Sequence, residues 1–306
     1  MTRIAVFAYS DVGHACTRFL FERGENVVLV ATHADDPGEN RWFESVADLS
    51  RSRGVEPVIF RDSAGADAAA KVRAAAPDLL FSFYYRDILP RAILQLPRLG
   101  AYNMHGSLLP KYRGRAPVNW AVANGETQTG ATLHVMNEKA DAGDIVDQDA
   151  VPIGPDDTAI EVQRGVTAAA VKVLGRRLED LKAGRAPRRP QKEAEATTFP
   201  RRGPEDGRIE WSKKTSQEVH NLVRAVTHPY PGAFSDVLGR GRVYVWKTRV
   251  PNLGAHDNFP GQIRQEQGHL YVACADDTYV EILSLQRQGE PEVSAQDFKI
   301  NLRDTR

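Results

Sequence analysis

The sequence predicts an α/β fold, doubly wound around a mostly parallel sheet, followed by a small β-rich C-terminal domain. Three observations carry that expectation. The first half alternates wholly apolar runs with amphipathic stretches, no cofactor-type glycine motif interrupts them, and the last third turns to alternating runs. Ile4-Ala5-Val6-Phe7-Ala8-Tyr9 is apolar throughout, as expected of a strand buried on both faces. Val12, Cys16, Phe19 and Leu20 then fall on one face of a helix that ends near Gly24. Val27 to Val30 repeats the strand pattern and residues 42–53 the helix. Pro57-Val58-Ile59-Phe60, the stretch 65–76 and Leu79-Leu80-Phe81-Ser82-Phe83 continue it. A short apolar helix is predicted at 90–96 and a fifth strand at Ala101-Tyr102-Asn103-Met104-His105. Strand–helix alternation of this kind builds a parallel, Rossmann-like sheet with helices on both faces.

Beyond residue 130 the pattern changes. Residues 131–136 and 145–151 read as strands, and Thr158 with Glu161 forms a capping-box pattern opening a helix through about Lys182. Residues 184–206, rich in Pro, Arg, Lys and Glu, read as a linker or a long exposed loop. A helix is predicted at 215–226, with strands at 242–246, 269–274 and 279–285. The expected domains are 1–200 and 201–306, the second OB-like.

Composition narrows the function classes. Forty Lys and Arg offset forty Asp and Glu, which disfavours a large polyanionic partner. Cys16 and Cys274 alone give neither a disulfide framework nor a zinc-ligand spacing. The N-terminus runs straight into a strand without signal-peptide architecture, and no apolar run approaches the roughly 20 residues of a membrane span. A cytoplasmic protein without membrane insertion is expected.

After the first strand, Ala8-Tyr9-Ser10-Asp11-Val12-Gly13-His14 lacks the G-x-G-x-x-G of dinucleotide sites. Neither a phosphate loop nor G-x-S-x-G occurs. Attention falls instead on Asn103-Met104-His105-Gly106-Ser107-Leu108-Leu109-Pro110-Lys111-Tyr112-Arg113-Gly114-Arg115-Ala116-Pro117. Asn103 and His105 share one face of a strand, at the end where parallel sheets bind ligands. An amide donor beside a titratable imidazole suits a reaction that develops an oxyanion and moves a proton. The bland reading, a hydrogen-bonded strand-end histidine with Gly106 and Pro110 shaping a turn, stays open on these letters alone. So does the reading of Asp141, within Lys139-Ala140-Asp141-Ala142-Gly143-Asp144, as a turn former. His14 and His134 both read as structural. A His105/His134/Asp141 metal site lacks H-x-x-x-H or paired-cysteine spacing, and no metal is expected.

The stretch from Asn103 to Pro110, with Tyr112-Arg113-Gly114 and Asp141-Ala142-Gly143-Asp144, resembles the signature of the 10-formyltetrahydrofolate-dependent formyltransferases. The likeness covers nearly the whole chain, from residue 3 to about residue 290. Phe81-Ser82-Phe83-Tyr84-Tyr85-Arg86, Asn124-Gly125-Glu126-Thr127 and Pro229-Tyr230-Pro231-Gly232-Ala233-Phe234 are similar to the sugar branch. Within it the likeness is greatest to formyltransferase domains acting on UDP-4-amino-4-deoxy-L-arabinose. The resemblance implies a catalytic trio of Asn103, His105 and Asp141. It places the folate co-substrate against Asp87, Ile88, Leu89, Arg115 and the loop Asn137, Glu138, Lys139, Ala140 and Asp141, largely through backbone groups. It implies formyl transfer to the sugar's 4-amino group, in lipid A modification and polymyxin resistance. It also admits a homo-oligomer, and a separate decarboxylase as partner, because the chain stops before the decarboxylase domain of the two-domain enzymes. The alternatives are another nucleotide-linked aminosugar, methionyl-tRNA, and a silent relative that only binds folate or nucleotide-sugar. Zero net charge argues against the tRNA.

Overall fold

The computed structural model describes residues 1–35, 40–237, 241–255 and 257–298. The described chain divides into two units, Met1–Pro117 with Gln128–Pro152 and Gln163–Pro200, and Val118–Thr127 with Ile153–Val162 and Arg201–Arg306.

In the first unit the expected alternation is present in order: β1 (Arg3–Ala8), α1 (Ser10–Glu22), β2 (Asn26–Thr32), α2 (Val46–Ser52), β3 (Val58–Ile59), α3 (Ala66–Ala75), β4 (Leu79–Phe83), α4 (Arg91–Leu94) and β5 (Ala101–His105). After β5 come the two-residue β6 (Arg113–Gly114) and α5 (Pro117–Ala123), then β7 (Gln128–Val135), β8 (Ile145–Pro152), α6 (Ala159–Lys182) and β9 (Thr198–Phe199). The main sheet runs β3-β2-β1-β4-β5-β7-β8. Pairing is parallel from β3 to β5, while β7 and β8 add antiparallel strands at one edge. The sheet is therefore mostly parallel, as predicted.

The apolar runs earn their central places. Residues 4–8 of β1 are fully buried between β2 and β4, and Ala5, Phe7, Leu29, Ala31, Leu80 and Ile93 belong to one core cluster. Of the four residues its spacing predicted, helix α1 buries Val12, Cys16 and Leu20, while Phe19 is half-buried. It packs so closely on β4 that a Cβ at Gly13 would lie 2.9 Å from the Phe83 carbonyl oxygen. The strand order reverses between β1 and β4, and in such sheets ligands gather at the C-terminal strand ends near the reversal. β5 ends beside that point.

The segment read as a linker is largely exposed yet not free of structure. Arg189 makes a reciprocal backbone bridge to Ile145 on β8, and β9 pairs in parallel with β6. Composition identified its exposed side chains but not the backbone bonds that tie it down.

The second unit carries α7 (Ser216–Val226), opened by the capping box of Thr215 and Glu218. Its six-stranded sheet runs β10-β11-β14-β13-β12, comprising β10 (Ala233–Val237), β11 (Gly241–Arg249), β12 (Ile263–Glu266), β13 (His269–Ala273) and β14 (Tyr279–Arg287), with β15 (Val293–Ser294) on β14. All its strand pairs are antiparallel, giving the β-rich C-terminal domain expected. Two short segments earlier in the chain join this unit through polar bonds. Asn119 Nδ2 donates to the Ala225 carbonyl at 2.8 Å, and Arg224 Nη1 to that of Asp157 at 3.0 Å. Among the described residues no helix is long and apolar enough to cross a membrane.

Candidate active site

Strand β5 presents Asn103 and His105 two residues apart on one face, and the antiparallel register with β7 sets His134 directly opposite Asn103. The loop from β7 to β8 carries Asp141 to the same place. Val135 N donates to the Asp144 carbonyl at 2.9 Å, closing the loop. Gly143 lies so close to the Val135 carbonyl oxygen that no side chain fits there. Asp141 itself has a left-handed φ of 53°, as do Tyr112 (60°) and Ala116 (50°) in the facing loop. Non-glycine residues adopt that region rarely and at a cost, and such residues concentrate where side-chain placement matters.

The Asp141 carboxylate is the hub. Its Oδ2 accepts from Gly114 N at 2.9 Å and its Oδ1 from Asn103 Nδ2 at 3.3 Å. The same Oδ1 lies 3.5 Å from both His105 Nδ1 and His134 Nε2. Burial pushes this carboxyl up. The positive charge that His105 and His134 carry when protonated, and the Gly114 N–H, outweigh burial and hold it well below the usual carboxylate range. Asp141 is therefore an anion across the physiological range.

Partners fix the tautomers. His105 Nε2 lies 2.7 Å from the Tyr112 carbonyl oxygen, which can only accept, so Nε2 carries the proton and Nδ1 faces Asp141. His134 Nδ1 donates to its neighbour Val135 O at 2.9 Å, leaving Nε2 to accept from Asn103 Nδ2 at 3.1 Å. The Asn103 amide nitrogen is thus aimed at both His134 and Asp141, and the side chain cannot flip without opposing acceptor to acceptor. Asn103, His105 and Asp141 are brought together, and His134, read from sequence as structural, stands among them. Its signal was the β5–β7 register, which no local pattern displays. His14 pairs with Glu44 at 3.4 Å instead.

The other expected positions fall into two groups. Asp87 follows β4 and accepts from Ser63 Oγ at 2.7 Å, while Ile88 is 65% exposed. Leu89 is packed in the core. Arg115 is exposed and its guanidinium donates to the Arg86 carbonyl, which brings it to the Asp87–Ile88 segment. Asn137, Glu138, Lys139 and Ala140 are exposed on the loop leading into Asp141, where Asn137 Oδ1 accepts from Lys139 N at 2.9 Å. Among the described residues no group of three or more His, Cys, Asp or Glu side chains is arranged to hold a metal ion.

An ionised carboxylate, an imidazole with one nitrogen tied back and the other turned toward it, and an amide donor can together move a proton and stabilise a developing oxyanion. Residues 2–178 match the family described as formyl transferase, and residues 202–302 its C-terminal domain. The chain belongs to the formyl transferase family. This formyltransferase is also similar in fold to solved structures. The sugar 3N-formyl transferase WlaRD, solved in the presence of dTDP and 5-N-formyl-THF, is 18% identical with a TM-score of 0.71, over 95% of this chain and 99% of that one. An N-formyltransferase from Helicobacter canadensis, in complex with folinic acid and dTDP-3-aminofucose, is 18% identical with a TM-score of 0.71, over 92% and 99%. Glycinamide ribonucleotide transformylase 1 from Symbiobacterium toebii is 23% identical with a TM-score of 0.54, over 62% and 93%.

Proposed function

We propose that this formyltransferase moves the formyl group of 10-formyltetrahydrofolate to the amine of a nucleotide-linked aminosugar. The observation that carries the chemistry is the arrangement of Asn103 and His105 around an ionised Asp141 at the C-terminal end of β5. The folate co-substrate supplies an activated formyl carbon. The residues present fit it: exposed chain at 86–88 and 137–140 offers backbone donors and acceptors, and Arg115 offers a cation.

The acceptor amine attacks as the neutral base, forming the new C–N bond while the formyl oxygen gains negative charge. Asn103 Nδ2 stabilises that charge by turning an N–H from the long 3.3 Å bond to Asp141 toward it. His105 takes the amine's proton on Nδ1, the nitrogen its bond to Tyr112 leaves free, and Asp141 stabilises the resulting imidazolium. The same Nδ1–H is then given to the departing folate nitrogen as the old C–N bond breaks, so His105 ends as it began.

Support for an aminosugar comes from the sugar-branch stretches Phe83-Tyr84-Tyr85-Arg86 and Lys111-Tyr112-Arg113-Gly114-Arg115. Forty Lys and Arg balanced by forty Asp and Glu favour a small acceptor over a tRNA. UDP-4-amino-4-deoxy-L-arabinose and a dTDP-3-amino sugar stand level as acceptors, with a cytoplasmic enzyme serving either. The test is a panel of UDP-4-amino-4-deoxy-L-arabinose, dTDP-3-aminofucose and methionyl-tRNA with 10-formyltetrahydrofolate, following tetrahydrofolate release. Turnover on either nucleotide sugar supports the proposal and selects the sugar. Turnover on methionyl-tRNA alone overturns it.

A further inference from the structure

The strap from Arg189 to Phe199 reaches the trio through one side chain. Gln191 Nε2 donates to two backbone carbonyls of the β7–β8 loop, Asp141 O and Gly143 O, each at 2.7 Å. Its Oε1 accepts twice from Arg113, from Nε at 3.1 Å and Nη2 at 2.7 Å. Both N–H groups and both oxygen lone pairs are therefore used. Arg113 is itself buried. Two more of its donors go to Glu193 at 2.9 and 2.8 Å, and its neighbour Gly114 gives the N–H that holds Asp141 Oδ2. The three residues bonded by the Gln191 amide thus lie on the loop that carries Asp141 and beside Gly114, which holds its carboxylate.

Asp141 needs such a grip, since its φ of 53° belongs to a region L-residues leave readily. Among the described residues, the loop's own bonds hold it only at its base, where Val135 N meets Asp144 O, and weakly nearer Asp141. The Ala142 N to Lys139 O bond is long at 3.4 Å, and the Asn137–Lys139 turn lies upstream. We infer that Gln191 is a positioning residue for formyl transfer, setting the Asp141 carboxylate by clamping its backbone against Arg113. The inference rests on the proposed role of Asp141.

The experiment is a double-mutant cycle on the full chain with the acceptor that the panel selects. Gln191→Ala lowers kcat about 10- to 100-fold, the cost expected of misplacing a catalytic group by about 1 Å, with KM for the folate within threefold. Gln191→Glu keeps the acceptor for Arg113 but has no N–H for the two carbonyls, so it folds and loses kcat to the same degree. In an Asp141→Asn background the Gln191→Ala change costs less than threefold further, because both act through one carboxylate. Lys192→Ala, an exposed neighbour on the same strap, leaves kcat unchanged. Full activity of Asp141→Asn alone would sink the role given to Asp141. An inactive Asp141→Asn enzyme with Gln191→Glu at wild-type kcat, or with additive losses in the double variant, would sink the clamp alone. If Gln191→Ala does not fold, Gln191→Glu decides between these outcomes.

Discussion

His105 in the first unit and His220 in the second are equally buried, each 6% exposed, yet they are built for opposite ends. Both spend Nε2 on a backbone carbonyl: His105 on Tyr112 at 2.7 Å, His220 on Pro155 at 3.2 Å. They part company at Nδ1. In His220 it meets the Thr248 hydroxyl at 3.0 Å, a neutral partner that satisfies the neutral ring. Burial then holds the His220 pKa below its ordinary value, and the nearby Arg224 cation acts in the same direction against the Pro155 carbonyl and Asp156. In His105 the same atom faces an ionised, buried carboxylate at 3.5 Å, too far for a hydrogen bond and close enough to stabilise an added proton. Burial does not separate the histidine proposed for catalysis from a structural one. The group across from the second nitrogen does.

The largest expected effect breaks the comparison at His105, the proposed acid–base group. His105→Ala should lower kcat by about 10³-fold or more, the upper range for losing a general acid–base group. The circular dichroism spectrum should stay that of the parent. Near-parental turnover would assign the proton to another group. Asn103→Ala should cost about 10²- to 10³-fold in kcat, as for other oxyanion donors, with the folate KM little changed. A loss confined to KM would show that Asn103 binds rather than stabilises charge.

His220 offers the converse. Replacing it with Leu strands the buried Thr248 hydroxyl and removes the donor to the Pro155 carbonyl, at about 1–3 kcal/mol of unfolding free energy. Denaturant unfolding should show that loss while kcat stays within twofold. A drop in kcat without a drop in stability would move His220 into the functional class.

What could be read in advance follows from how local each signal is. The β1 run, the α1 face at Val12, Cys16 and Leu20, and the Thr215–Glu218 cap each encode themselves within a few residues, and all are present. Asn103 and His105 were legible because a strand fixes the i, i+2 relation by itself. His134 was not, because its place depends on pairing with a strand 31 residues away, and the same letters in another register would face elsewhere. Gln191 was hidden further, in a stretch whose Pro, Arg and Lys content reads as linker. Its partner carbonyl lies 50 residues back. Leu89, which the resemblance placed at the folate site, has its side chain in the core.

The smallest expected effect is a slope. His220 has a folded pKa below its ordinary 6.5, so the unfolded chain binds its proton first as pH falls. Stability from this residue is therefore complete above about pH 6.5 and declines below it, by at most about 1.4 kcal/mol per pH unit for one proton. Asp141 works in a separate window. Its pKa is depressed, so its contribution holds above about pH 4 and is lost only as pH falls further. His220→Gln keeps an N–H donor for the Pro155 carbonyl but cannot titrate. Unfolding free energies measured from pH 7 to pH 5 should fall less steeply for His220→Gln than for the parent, with the remainder coming from groups such as His14, whose pKa burial also lowers. Superimposable curves would mean that His220 is protonated in the folded protein too. The contrast with His105 would then rest on the partner at Nδ1 alone.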